Sequence, residues 1–192
     1  MTRGSGLLEG WLAQLRANKA NSLIPADLRD GRILDIGCGS YPYFLAHTYF
    51  REKFAMDQLN LSEVPPDITT FQVNLEHVQK IDVEDNYFNV VTMLAVIEHL
   101  NPESLVLLFS EIHRVLVPGG IVVITTPNAW TDPLLQFMAR INLVSKEEID
   151  EHDFVYTLPL LGWYFGRGGF DIKKVSFGTF EAGMNLWALA EK

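Results

Sequence analysis

Arg32-Ile33-Leu34-Asp35-Ile36-Gly37-Cys38-Gly39-Ser40 decides how this chain is read. An apolar run carries an acidic residue near its end, and a glycine turn follows at once. That is the sequence form of a buried parallel strand whose carboxyl end opens onto a ligand. In doubly wound sheets ligands bind at such strand ends. Glycine permits both the tight turn and a close backbone approach, because it has no Cβ.

Working outward, strands alternate with helices. Trp11, Leu12 and Leu15, with Leu7 and Leu8 before them, recur at helical spacing and predict an amphipathic helix ahead of the first strand. Residues 41–48 predict a short helix with Pro42 in its first turn. Residues 53–56 form a second strand that ends at Asp57. Pro65-Pro66 leaves no room for a full helix before a third strand at residues 69–73. Residues 88–94 are continuously apolar and predict a central strand. A helix over 102–116 follows, with Asn101 as its cap and proline in its first position. Pro118-Gly119-Gly120 ends it, and 121–126 is another buried strand. Helices are predicted over 133–141 and 158–165. The last two strands, 172–180 and 185–190, are joined through Glu181-Ala182-Gly183. That link is too short for a parallel crossover, so the pair is antiparallel. The remaining alternation implies a mostly parallel sheet covered on both faces.

The chain of 192 residues is read as one domain, 1–192, with an N-terminal helical part over 1–30 and a core over 31–192. Its 48% hydrophobic and 20% charged content is ordinary for a globular protein. The formal net charge of −9 argues against nucleic acid as the main partner. Cys38 is the sole cysteine, so no intramolecular disulfide forms, and a reducing compartment fits. The expected location is cytoplasmic. No signal-peptide pattern is visible, and no apolar stretch reaches the roughly 20 residues of a membrane span. No His/Cys/acid cluster has metal-ligand spacing, so no metal is expected.

Asp35, Asp57, Asn74-Leu75 and the run from Ala95 to His99 each follow a successive strand. On a parallel sheet these positions share one edge. An acidic residue about 20 positions after a glycine turn is placed to accept hydrogen bonds from ribose hydroxyls.

The ordered series of motifs resembles the class I S-adenosylmethionine-dependent methyltransferases, of the type 11 or type 23 kind. Ile33 to Gly39 looks like their first motif, and Ala55-Met56-Asp57-Gln58 like their second-strand signature. Asp85-Asn86-Tyr87-Phe88-Asn89-Val90-Val91 is similar to the run into their fourth strand. Leu94 to Leu100 resembles its E-H-L continuation. Leu116-Val117-Pro118-Gly119-Gly120 and Gly168-Gly169-Phe170 fit the later passages.

The resemblance implies an α/β/α three-layer sandwich. Its Rossmann-like, doubly wound sheet would have seven strands, the last antiparallel. It implies S-adenosylmethionine as cofactor and S-adenosylhomocysteine as product. Gly37, Cys38 and Gly39 would approach the methionine part and Asp35 its amino end. Asp57, followed by Gln58, would hold the ribose. Leu75 would offer its N–H to adenine, with Asn74 near the exocyclic amine, and Ala95 would lie beside the sulfonium. The first 30 residues would form a lid over the cofactor site, the alternative being a helix that packs on the sheet edge.

Departures from the pattern are Tyr41-Pro42 where a third glycine is common, and Asn74 and Asn89 where aspartates are common. His99 is the first candidate base, since histidine ordinarily titrates nearest neutral pH. Its alternative is a loop-shaping role together with Glu98. His152, near Asp153 and Tyr156, is the second candidate. Residues 154–165 are either core or an apolar acceptor pocket or homodimer surface.

The implied activity is methyl transfer to a small or medium metabolite, with members of surface-polysaccharide or lipid-linked sugar pathways among those resembled. A silent cofactor-binding module is the alternative that Tyr41 and Asn74 motivate. A nicotinamide oxidoreductase fits less well, because the third glycine of its fingerprint is missing.

Overall fold

A computed structural model describes residues 9–61, 64–77, 80–131, 154 and 156–192. The elements in chain order are α1 (Glu9–Leu23), β1 (Arg32–Ile36), α2 (Tyr43–Ala46), β2 (Glu52–Asp57), β3 (Ile68–Gln72), β4 (Phe88–Leu94), α3 (Pro102–Val115), β5 (Leu116–Pro127), α4 (Leu158–Arg167), β6 (Val175–Phe180) and β7 (Asn185–Glu191). The seven strands make one sheet in the order β3-β2-β1-β4-β5-β7-β6. β7 pairs antiparallel with both neighbours, and every other pairing is parallel. This is the seven-stranded, doubly wound sheet that the motifs imply. The chain winds from β1 outward to β3, then returns to β4 on the other side. The point where the direction reverses, between β1 and β4, is where such sheets open a crevice.

Alternate side chains of the central strands feed two apolar layers, as a sheet covered on both faces requires. On one face Leu34, Ile36, Met93, Val122 and Ile124 pack with Leu105, Leu108, Phe109 and Ile112 of α3 and with Leu161 and Phe165 of α4. On the other, Ile33, Ala55, Val90 and Val123 pack with Ala17, Ala20, Phe44 and Leu45 of α1 and α2. The helix cap of α3 is as read from the sequence: Asn101 Oδ1 accepts from Ser104 N at 2.8 Å. The stretch from Phe154 to Phe165 divides: Tyr156, Leu161, Tyr164 and Phe165 are buried in the core, while Leu160 and Trp163 stay exposed.

Several expectations are corrected. α1 does not turn its tryptophan and leucines inward. Ala13, Ala17 and Ala20 are buried, while Trp11 is 54% exposed and Leu12 and Leu15 are half-buried. Small side chains let the helix axis come close to the sheet, and the bulky ones are left on its flanks. α2 is a single turn, because Pro42 caps it and His47 has already left helical geometry. β6 begins three residues late, since Asp171 Oδ1 accepts from Lys173 N at 3.0 Å and caps a short 3-10 turn. Pro118-Gly119-Gly120 lies inside β5, where pairing with β4 jumps from Phe88–Leu116 to Val90–Ile121. Leu7, Leu8 and the helix expected over 133–141 lie outside the described residues.

Candidate active site at the carboxyl edge of the sheet

The glycine turn after β1 is tied to the neighbouring strand. Gly37 N and Cys38 N both donate to Met56 O, at 2.7 and 3.4 Å. Gly37 and Gly39 each have a φ of 74°. That left-handed conformation favours glycine. The two positions differ in surroundings. A Cβ on Gly37 would stand 2.4 Å from Val96 Cγ2, whereas nothing lies within 4 Å of one on Gly39. The backbone at Gly39 therefore borders open space. Its N–H donates to Asp57 Oδ2 at 2.7 Å, and Leu59 N donates to Asp57 Oδ1 at 2.9 Å. Asp57 is buried and held against the glycine turn, yet each oxygen keeps a second lone pair for a ligand.

Asp35 is also buried, and Thr92 Oγ1 from β4 donates to its Oδ1 at 2.6 Å. Burial pushes its carboxyl up to about 7. The Thr92 hydrogen bond opposes the rise and the nearby Asp57 charge adds to it. Burial, followed by the Asp35 and Asp57 charges, raises the Cys38 thiol well above the ordinary range. It stays protonated at neutral pH and is no nucleophile.

The remaining positions read from the sequence fall along the same edge. Gln58 is exposed, and its carbonyl accepts from Gln72 Nε2 at 3.4 Å. Asn74 Oδ1 accepts from Glu76 N at 3.0 Å, a local turn that opens the 3-10 segment Leu75–His77. Leu75 is buried. Ala95 takes a φ of 57°, and its N–H donates to Thr125 O at 2.9 Å. His99 is half-buried in the 3-10 turn Ile97–His99. His152 lies outside the described residues. Asn89 is at the opposite edge: its Oδ1 accepts from Arg32 N at 2.9 Å, so that departure from the family pattern does not touch the site.

One group here received little weight from the sequence. Glu98 is 2% exposed; its Oε2 accepts from Thr126 Oγ1 at 3.1 Å, and its Oε1 has no hydrogen-bond partner among the described residues. Burial raises its carboxyl, against the charges of His99 and Arg16. Tyr156 is buried, its hydroxyl has no hydrogen-bond partner among the described residues, its backbone bridges to Asn128, and its phenol is raised by burial, by Tyr164 and by Glu98. The signal for this pair was the E-H dipeptide after β4, but nothing local in the sequence brings residue 156 to it. Among the described residues no group of three or more His, Cys, Asp or Glu could hold a metal ion. Nor is any helix among them long and apolar enough to cross a membrane.

This arrangement fits a nucleoside-type ligand, with an open glycine backbone and a buried carboxylate retaining acceptor capacity. Comparison with known proteins agrees. Residues 10–175 match the family model described as a methyltransferase domain, and the chain belongs to that family. A SAM-dependent methyltransferase from Archaeoglobus fulgidus superposes with a TM-score of 0.71 at 17% identity, covering 94% of each chain. An S-adenosylmethionine-dependent methyltransferase from Mesorhizobium loti gives 0.67 at 15% identity, covering 91% of this chain and 96% of that one. A TehB-like SAM-dependent methyltransferase from Corynebacterium glutamicum gives 0.62 at 15% identity, covering 92% and 86%. At these identities the likeness speaks for the fold. No curated protein matches the sequence. The cofactor implied by family and neighbours is S-adenosylmethionine.

Proposed function

We propose that this methyltransferase domain acts on a small or medium metabolite, of which an intermediate of a sugar pathway is one candidate. The observation that carries the reading is the Gly37–Gly39 turn fastened to Asp57 beside open space. When bound, S-adenosylmethionine supplies a methyl group on a sulfonium, which is a good leaving group.

The residues of the chain bind and orient. Asp57 accepts from the ribose hydroxyls with its free lone pairs, and Gln58 flanks it. Gly37, Cys38 and Gly39 let the backbone approach the methionine part. Asp35 receives the amino end as a carboxylate. Leu75 offers its N–H to adenine. The Asn74 oxygen, already engaged by Glu76 N, contributes through its second lone pair. Ala95 lines the space beside the sulfonium. Holding the acceptor in line supplies much of the rate, as effective-molarity effects of several kcal/mol show for well-oriented reactants. For a hydroxyl acceptor a base is needed, and His99 is assigned that role, with His152 as the second candidate.

Calorimetric titration with S-adenosylmethionine and S-adenosylhomocysteine tests the reading. Micromolar binding to wild type is expected, weakened at least tenfold by Asp57→Ala (about 1.4 kcal/mol). Folded wild type that binds neither ligand would overturn it and favour a silent module.

A further inference from the structure

Among the residues of β4, Thr92 is the only polar side chain that is fully buried. Phe88, Val90, Val91 and Met93 of the same strand are equally buried. A strand covered on both faces calls for an apolar residue at such a position, and valine has the branched shape of threonine. A buried hydroxyl is unfavourable unless it is hydrogen-bonded. Thr92 Oγ1 gives its proton to Asp35 Oδ1 at 2.6 Å. That distance lies in the range of hydroxyl donors to ionised carboxylates.

The pair spans the point where the sheet reverses direction. Asp35 of β1 and Thr92 of β4 are register partners, and Gly37 opens the glycine turn two residues after Asp35. The bond fixes one carboxylate oxygen from the β4 side. Oδ2 has no hydrogen-bond donor among the described residues. The titratable groups coupled to Asp35 are Asp57 on β2 and the Cys38 thiol in the turn. On the same face α1 packs Ala17 and Ala20, and α2 packs Phe44 and Leu45. The cations of α1 are engaged elsewhere: Arg16 acts on Glu98 and Glu181, and Lys19 lies over Trp187. His47 of α2 is held to Tyr43 O. No cation among the described residues acts on Asp35, and the Thr92 hydroxyl is the group that favours its charge.

We propose that Thr92 is a positioning residue for cofactor binding: its hydroxyl holds Asp35 Oδ1 across the sheet and leaves Oδ2 for the ammonium of S-adenosylmethionine. This rests on the methyl-transfer reading above. A donor to the ionised carboxylate favours the form that an ammonium selects. The part Thr92 plays is in binding, through Asp35, and not in the transfer step.

Calorimetric titration with S-adenosylhomocysteine, and with 5′-methylthioadenosine, which lacks the amino-acid part, tests the proposal. The range is pH 5.5 to 7.5, below the region of about 8 where an α-amino group ordinarily loses its proton. Wild type is expected to bind S-adenosylhomocysteine at least fivefold more tightly at pH 7.5 than at pH 5.5, and methylthioadenosine equally at both. Thr92→Val weakens S-adenosylhomocysteine at least fivefold at pH 6.5, with a smaller gap at pH 7.5, and leaves methylthioadenosine within twofold. Thr92→Ser, which keeps the hydroxyl, returns the wild-type profile to within twofold. A threonine that only supports the fold would weaken both ligands alike or neither, and either result for Thr92→Val overturns the proposal. So does a serine variant as weak as the valine one. Wild-type binding of S-adenosylhomocysteine that does not change with pH overturns it as well, and that measurement stands should Thr92→Val fail to fold. Wild type that binds neither ligand defeats the cofactor reading beneath the proposal, and this is known before any variant is made.

Discussion

Asp35 sets function against stability. In the folded chain its carboxyl is pushed up to about 7, well above the unfolded value. Between the two values the folded state holds a proton that the unfolded state has lost, so stability falls as pH rises through that window. A shift of this size corresponds to as much as about 4 kcal/mol once pH exceeds 7. Asp35→Asn is therefore expected to raise Tm at pH 8 by more than at pH 5. In the role proposed for Asp35 the cofactor's ammonium needs the charged form, so wild-type affinity should strengthen as pH rises through 7, and the asparagine variant should lose that rise. Calorimetry and thermal melts at both pH values check the two halves. The burial of Asp35 and Asp57 at the carboxyl edge was legible because each acid closes an apolar run that reads as a buried strand. Glu98 was less so. Its burial beside Thr126 and Tyr156 depends on where residue 156 returns, and no local pattern encodes that.

The glycine turn is the element whose parts separate most cleanly. A methyl group at Gly37 meets Val96 as well as an unfavourable φ, while one at Gly39 meets only the unfavourable φ and open space. Gly37→Ala should lower stability by roughly 2–4 kcal/mol, combining backbone strain with overpacking. Gly39→Ala should cost only about 1–2 kcal/mol in stability, yet weaken S-adenosylmethionine at least as much as Asp57→Ala does. Equal effects of the two variants on folding would contradict the geometry. Other elements show which family motifs are scaffolding. In the run into β4, Asp85 pairs with Arg114 Nη1 at 2.7 Å, and Arg114 also donates to Val83 O at 3.0 Å and to Ile81 O at 2.9 Å. That motif orders the loop between Ile81 and β4 at the edge away from the site. The central strands β1, β4 and β5 were readable because their apolar runs are buried on both faces. α1 was misread because alanine, the residue it buries, carries no strong periodic signal beside leucine and tryptophan. The limits of β5 and β6 depended on a looped-out Pro-Gly-Gly and an aspartate cap.

At the scale of the whole molecule, strand order follows from alternation and short connections, which is why the sheet could be anticipated. The placement of β7 between β5 and β6 could be anticipated only by resemblance, since an antiparallel pair can join a sheet by either member. That placement bears on how the chain is born. Ile121, Val122, Val123 and Ile124 of β5 pair with residues 188–191, some 65 positions later. Until that late segment leaves the ribosome, β5 presents a long apolar edge with unpaired backbone groups, the kind of edge that recruits other strands. Chains ending before residue 185 are expected to partition into the insoluble fraction on expression, whereas adding a synthetic peptide of residues 184–192 during refolding should recover soluble material. Translation speed over the final stretch, rather than the strength of any single contact, would then govern the yield of native protein.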